Sequence, residues 1–112
     1  MPVVNKNEFS SDVVKLSDFA KVFSHPARVM IIEALAEQKD LSTKDLVEKL
    51  PLSQATVSQH LKELRELNLI CRRARGVQSI YCLQWNQMEH SFDLFDKLRS
   101  SVMASRPKRN CC

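Results

Sequence analysis

One short run of the chain, Ser53 to Lys62, carries polar side chains of the types that contact DNA bases and phosphates. Gln can form two hydrogen bonds with adenine, Ser and Thr can reach bases or phosphates, and the Thr methyl group can touch thymine. Val57 and Leu61 are spaced to face a core, which leaves the polar residues outside. The predicted DNA contacts of this run are Ser53, Gln54, Thr56, Ser58, Gln59, His60 and Lys62.

A second basic segment follows closely, with Arg72, Arg73 and Arg75 just before the only Gly of the chain, Gly76. The flanking residues alternate loosely between polar and apolar and are rich in strand-forming types, which predicts a β-hairpin with an arginine at its tip. Arginines on such a hairpin can contact backbone phosphates or the minor groove. Gln78, on the second strand, completes the set of predicted DNA contacts.

The elements that must position these residues are mostly helices. Apolar spacing, caps and breaks predict helices over about 12–23, 26–38, 42–50, 53–67 and 86–105, with the hairpin before the last. Two short helices joined by a tight turn and followed by a basic hairpin are typical of a helix-turn-helix with a wing. We therefore predict a mainly α fold with a β-hairpin wing, in the order ααααββα.

Composition limits the other possibilities. The chain has 112 residues, enough for one domain, with 17 Lys plus Arg against 13 Asp plus Glu. A single Gly argues against an all-β fold and against a Gly-rich nucleotide loop. Paired carboxylates and a Cys/His dyad at useful spacing are also missing, so an enzyme is the least favoured class. We predict an N-terminal arm over 1–10, the domain over 11–105 and a basic tail over 106–112.

No secretory leader or membrane-spanning run is visible, so we expect a cytoplasmic protein without a membrane partner. In that compartment thiols stay reduced, and free or metal-binding cysteines are favoured over a disulfide framework. A competing functional class keeps the same fold but binds protein or RNA instead of duplex DNA. The polar face of residues 53–62 and the hairpin arginines favour DNA.

Three segments carry a resemblance to a known family: FAKVFSHPARVMIIEAL, DLVEKLPLSQATVSQHLKELRELNLI and RRARGVQSIYCL. Together they resemble the ArsR/SmtB family of winged-helix repressors over residues 18–99. The resemblance implies a homodimer that binds operator DNA and releases it when a metal ion, metalloid or oxidant engages its thiols or histidines. It also implies a dimer interface formed by the first and last helices.

An apolar stripe on the last helix agrees with that interface, because it needs a partner surface. The predicted interface residues are Phe19, Phe92, Phe95, Leu98 and Val102. The alternative is that this stripe closes the core of a single chain.

The resemblance leaves the inducer open. The arsenic-type Cys-x-Cys of the family would fall at Leu41-Ser42-Thr43, where this chain has no cysteine. The zinc-type site would lie on the last helix, which offers acidic residues and His90 but no second histidine for a tetrahedral set. No obligatory cofactor is expected.

The thiols remain as candidates. Cys71 and Cys82 fit best as small apolar residues of the hairpin. Cys111 and Cys112 end the chain beside basic residues that favour the thiolate, and thiolates bind trivalent arsenic or antimony. Cys82 or another chain would supply a third ligand. The alternatives are an incidental terminus, a remnant of cloning, or thiol oxidation as the input.

Overall fold

The structure, a computed structural model, describes residues 8–109. Its elements are α1 Ser11–Val22, α2 Pro26–Glu37, β1 Leu41–Ser42, α3 Thr43–Lys49, α4 Gln54–Glu66, β2 Ile70–Arg75, β3 Gln78–Leu83 and α5 Trp85–Ala104. This arrangement confirms the predicted winged helix-turn-helix fold. None of the helices in this range is long and apolar enough to cross a membrane. The predicted arm falls mostly on residues 1–7, and Cys111 and Cys112 also lie outside the described residues.

Side-chain caps fix where the helices begin. Ser53 caps α4, as predicted, by accepting a hydrogen bond from the Thr56 backbone N–H. Ser42 caps α3 and forms a reciprocal capping box with Asp45. The Ser42 backbone N–H donates to the Asp45 carboxylate, and this bond together with the Ser42 hydroxyl lowers the pKa of Asp45.

Asn68 ends α4, as its residue type predicted. Its φ is +59°, in the left-handed region that Asn tolerates better than most residues. The Asn68 N–H donates to the Arg65 carbonyl at 2.9 Å, and the Leu69 N–H donates to the Leu64 carbonyl at 3.1 Å. This pair of bonds is a Schellman motif, and it turns the chain directly into β2.

The sheet has the order β1-β3-β2 and is antiparallel throughout. The hairpin reverses at Gly76, whose φ of +61° favours glycine in a two-residue turn. The prediction missed β1, because two residues are too few to show a strand period. The last helix was predicted from about residue 86, and it begins one residue earlier, at Trp85.

The core lies between the sheet and helices α1 to α4. Val57, Leu61 and Leu64 of α4 are fully buried, as are Ile31 of α2 and Leu46 of α3. These contacts hold α4 by one side only. The opposite side of α4 is therefore free to face a partner.

Candidate nucleic-acid interface

The N-terminal half of α4 presents its polar side chains on the surface. Gln54, Thr56, Ser58 and Lys62 are exposed, as predicted for the base-reading residues. The Ser53 and Thr56 hydroxyls share a hydrogen bond of 3.0 Å at the start of the helix. This end of α4 combines an exposed amide, exposed hydroxyls and the positive pole of the helix dipole, a set that suits phosphate and base contacts.

His60 differs from the prediction, which placed it outside as a DNA contact. Its side chain is buried, with the residue only 8% exposed, and it faces α2. Arg28 Nε donates to His60 Nδ1 at 3.2 Å, and the His25 ring lies 4.5 Å away. The prediction was wrong because a histidine can satisfy its polar nitrogen inside the fold when a donor meets it there.

Arg28 also forms a salt bridge with Glu63, one turn after His60 on α4. Glu63 in turn accepts a hydrogen bond from Gln59 Nε2 at 3.4 Å. Sequence reasoning missed Arg28 and Glu63 as positioning residues. The Arg28 side chain joins α2 to α4 at two points, which fixes the rotation of α4 and so the direction of its exposed face.

Protonation of His60 is disfavoured in the fold. Burial lowers the pKa of His60 below 6.5, and the nearby charges of His25 and Arg28 lower it further. The neutral ring keeps Nδ1 free to accept the Arg28 hydrogen bond, whereas the cationic ring would face a guanidinium without an acceptor.

The wing arginines are exposed, as predicted, but they are not equivalent. Arg72 and Arg75 lie on the exposed part of β2, and Arg75 pairs with Gln78 beside the turn. Arg73 forms a salt bridge of 2.6 Å with Asp40, the residue before β1. Its side chain remains 53% exposed, and an exposed pair of this kind contributes little energy, about 0–1 kcal/mol.

The wing and α4 meet at one cleft of about 270 Å³. Gln54 of α4 lines it together with Gln78 of β3. Lys44, at the start of α3, lines the same cleft and adds a cation that the prediction did not include. One member of each predicted set, Gln54 and Gln78, therefore lines the same cleft although the two are distant in sequence.

The two hairpin cysteines lie on neighbouring strands and contact each other. Cys71 is directly opposite Cys82, with 2.7 Å between their sulfur atoms, and both are half-buried. The hydrogen bond with Cys71 and the burial of the thiol raise the pKa of Cys82 to about 11. Among residues 8–109, no three or more His, Cys, Asp or Glu side chains are grouped to hold a metal ion.

The predicted dimer residues divide into two sets. Phe92, Leu98 and Val102 are exposed on α5, and Phe95 is half-buried. Phe19 is only 3% exposed, because it packs inside the same chain against Phe23, Phe92 and Phe95. The prediction of Phe19 as an interface residue is therefore corrected: it is a core residue that supports the α5 face from below.

Known proteins share both the sequence and the fold. The family model for bacterial regulatory proteins of the arsR family matches residues 25–71, which run from the start of α2 into β2. The chain is 35% identical over 78 residues to the arsenical resistance operon repressor of Staphylococcus xylosus, covering 70% of this chain and 69% of that protein. This chain belongs to the ArsR family.

Two other members are similar to this ArsR-family chain over longer stretches. The cadmium resistance regulatory protein CadC of Listeria innocua is 26% identical over 93 residues, covering 83% of this chain and 78% of CadC. The structure of HlyU from Vibrio cholerae superposes with a TM-score of 0.67 at 27% identity, covering 80% of this chain and 97% of HlyU. Members of the family are transcriptional regulators that bind operator DNA and are not enzymes, so the prediction against an enzyme is confirmed.

The buried His60 predicts a specific pH dependence of stability. Its pKa is lower in the folded state than in the unfolded chain, so the unfolded chain takes up the proton first as the pH falls through about 6.5. The free energy of unfolding should therefore decrease from pH 7.5 to about pH 5, and His60→Gln should remove part of that decrease. Urea denaturation at each pH measures it.

The matched control is His90→Gln, which changes an exposed histidine of α5. It should leave the pH dependence of the wild-type protein unchanged. Equal pH dependence in wild type and His60→Gln would contradict the assigned environment of His60.

Proposed function

We propose that this protein is a homodimeric repressor that inserts the N-terminal half of α4 into the major groove of operator DNA. The observation that carries the proposal is the division of α4, with Val57, Leu61 and Leu64 fully buried and the polar residues at its start exposed. The wing adjoins the same cleft. A regulator of this kind acts on chromosomal DNA, in the cytoplasm.

In this arrangement Gln54 and Ser58 reach base edges, and the small Ala55 allows the helix backbone to approach the groove. Ser53 and Thr56 contact a phosphate at the helix start, and Lys62 contacts the backbone further along. Arg72 and Arg75 extend from the wing to the flanking phosphates or the minor groove. Arg73 joins them when it exchanges Asp40 for a phosphate. Gln59 also faces the DNA, while its side-chain amide donates a hydrogen bond to Glu63.

Dimerisation follows from the modest charge of one chain and from the exposed apolar face of α5. The formal net charge is +4, so a monomer makes few phosphate contacts. Phe92, Leu98 and Val102 are about half exposed on a helix that packs on α1. Burying this face in a second copy doubles the DNA contacts and places two recognition helices about 34 Å apart, one turn of DNA.

The prediction for DNA binding is tested with a duplex that the protein itself selects from a pool of random DNA sequences. Gln54→Ala/Ser58→Ala should weaken binding to that duplex by about 1–3 kcal/mol and reduce discrimination against mismatched duplexes. Arg75→Ala should weaken binding to all duplexes to a similar extent. It should also reduce the slope of the logarithm of the binding constant against the logarithm of the salt concentration by about one, as expected for the loss of one phosphate contact. Fluorescence anisotropy across a salt series measures both effects.

Lys15→Ala is the matched control, because Lys15 lies near the opposite end of α4, beside Leu67 and Asn68. It should bind like wild type. If the α4 and wing variants also bind like wild type, the DNA-reading surface is misassigned, and the competing protein- or RNA-binding class is favoured.

The dimer prediction concerns the α5 face. Phe92→Asp/Val102→Asp places two charges in the proposed interface and should weaken dimerisation by about 2 kcal/mol or more, which sedimentation velocity detects as monomer. Val77→Asp, at the fully exposed tip of the wing, is the control and should remain dimeric. A dimer that survives the α5 substitutions would contradict this interface.

We also propose that a thiophilic metalloid, arsenite or antimonite, releases the repressor from DNA. Two observations support this class of inducer: the similarity to an arsenical resistance operon repressor, and the adjacent Cys111 and Cys112. Trivalent arsenic prefers thiolate ligands. The two terminal thiols supply two ligands, and Cys82 or a cysteine of the second chain supplies the third.

Arsenite titrated against the operator complex tests this inducer. Wild type should dissociate as arsenite is added, whereas Cys111→Ser/Cys112→Ser should stay bound over the same range. Serine is close to cysteine in size and differs in having a hydroxyl in place of the thiol, so the comparison isolates the thiols. Equal release of both proteins would exclude the terminal cysteines as the inducer site.

A further inference from the structure

The wing holds a pair of facing thiols that DNA reading does not require. The register of the hairpin places Cys71 directly opposite Cys82, and their sulfur atoms are 2.7 Å apart. Directly opposite residues of an antiparallel pair have Cα atoms about 4.5–5.5 Å apart. That separation lies within the range of about 4.4–6.8 Å that a disulfide spans. The backbone can therefore accommodate a bond between these two side chains.

We propose that Cys71 and Cys82 form an oxidisable dithiol, which a hydroperoxide converts to an intrachain disulfide that changes the affinity of the wing for DNA. The effect on DNA affinity rests on the function proposed above. The formation of the disulfide does not depend on that function. Both members of the pair are held face to face by the sheet.

The surroundings give the two thiols different roles. The hydrogen bond with Cys71 and the burial of the thiol raise the pKa of Cys82 to about 11, so Cys82 stays protonated. Arg73 lowers the pKa of Cys82, whereas Asp40, its salt-bridge partner, raises it. Because these contacts favour the thiol form of Cys82, we assign the first attack to Cys71. Both residues are half-buried, which leaves part of each exposed to a small peroxide.

The reaction proceeds in two balanced steps. The Cys71 thiolate attacks one oxygen of hydrogen peroxide, the O–O bond breaks, and the products are a sulfenic acid and hydroxide, which takes up the thiol proton as water. The Cys82 sulfur then attacks the sulfenic sulfur, the S–O bond breaks, and a second water leaves with the Cys82 proton. In total, two thiols lose two electrons and two protons, and one peroxide is reduced to two waters.

The position of the pair links this chemistry to DNA contact. Arg72 and Arg73 follow Cys71 directly, and the Arg73 guanidinium bonds to Asp40 next to β1. A covalent link across the start of the hairpin draws β2 towards β3 at the point where these arginines leave the sheet. The disulfide thus alters the wing contacts without touching α4.

A variant with only the hairpin thiols tests the proposal. Cys111→Ser/Cys112→Ser is exposed to hydrogen peroxide and digested without reduction. The expected products are a loss of two hydrogens from the intact mass and a peptide pair joined through Cys71 and Cys82, both reversed by dithiothreitol. Affinity for the selected duplex should change by about threefold or more on oxidation and return on reduction.

The matched control adds Cys71→Ser, or Cys71→Ala if the serine variant does not fold, and should show neither the crosslink nor the affinity change. The proposal is overturned if both thiols remain titratable after peroxide, if they oxidise without a crosslink, or if the disulfide forms and the affinity stays the same. If reduced protein fails to bind the duplex, the proposed DNA function fails, while the mass measurement still decides whether the dithiol forms a disulfide.

Discussion

One constraint governs this structure: one side of α4 must pack firmly on the core, while its opposite side must stay exposed so that it can enter a DNA groove. Val57, Leu61 and Leu64 meet the first requirement by being fully buried. Burial of each such side chain stabilises the fold by roughly 1.5–3 kcal/mol. The caps at Ser53 and Asn68 then set where the helix begins and ends, so that Gln54 to Ser58 form its outermost turn.

Polar contacts join α4 to α2 in addition to the apolar packing. The Arg28 side chain bonds to His60 and Glu63 on one side of α4. The Arg28–His60 contact lies between the two helices with both side chains largely buried, whereas the Glu63 side chain is 38% exposed and its salt bridge is screened by water. The direction of the DNA-facing residues therefore depends on an arginine that does not itself need to touch DNA.

Local sequence signals predicted most of the fold. Helical spacing, the Ser caps, Asn68 and the lone Gly76 each act over a few residues, so they are readable without the tertiary structure. The strand β1 was missed because its pairing with β3 comes from residues 38 to 40 positions away. His60 was misplaced for the same reason: the donor that satisfies it, Arg28, lies 32 residues earlier.

The remaining differences also come from contacts between elements. Phe19 belongs to the core because aromatic side chains from α5 cover it, which the spacing of α1 cannot show. The facing cysteines are a different case. Once the two-residue turn at Gly76 and Val77 is accepted, counting outward along both strands brings Cys71 opposite Cys82. The sequence of the hairpin therefore contained this pairing, although the prediction assigned Cys71 and Cys82 as small apolar residues and did not pair them.

The central claim is that the start of α4 and the wing together read DNA while α5 joins two copies. The most direct measurement is the change in backbone amide chemical shifts on adding the selected duplex to labelled protein. The account predicts the largest changes at residues 53–59 and 72–78, with the exposed face of α5 nearly unchanged. Changes concentrated on α5, with 53–59 unaffected, would contradict it.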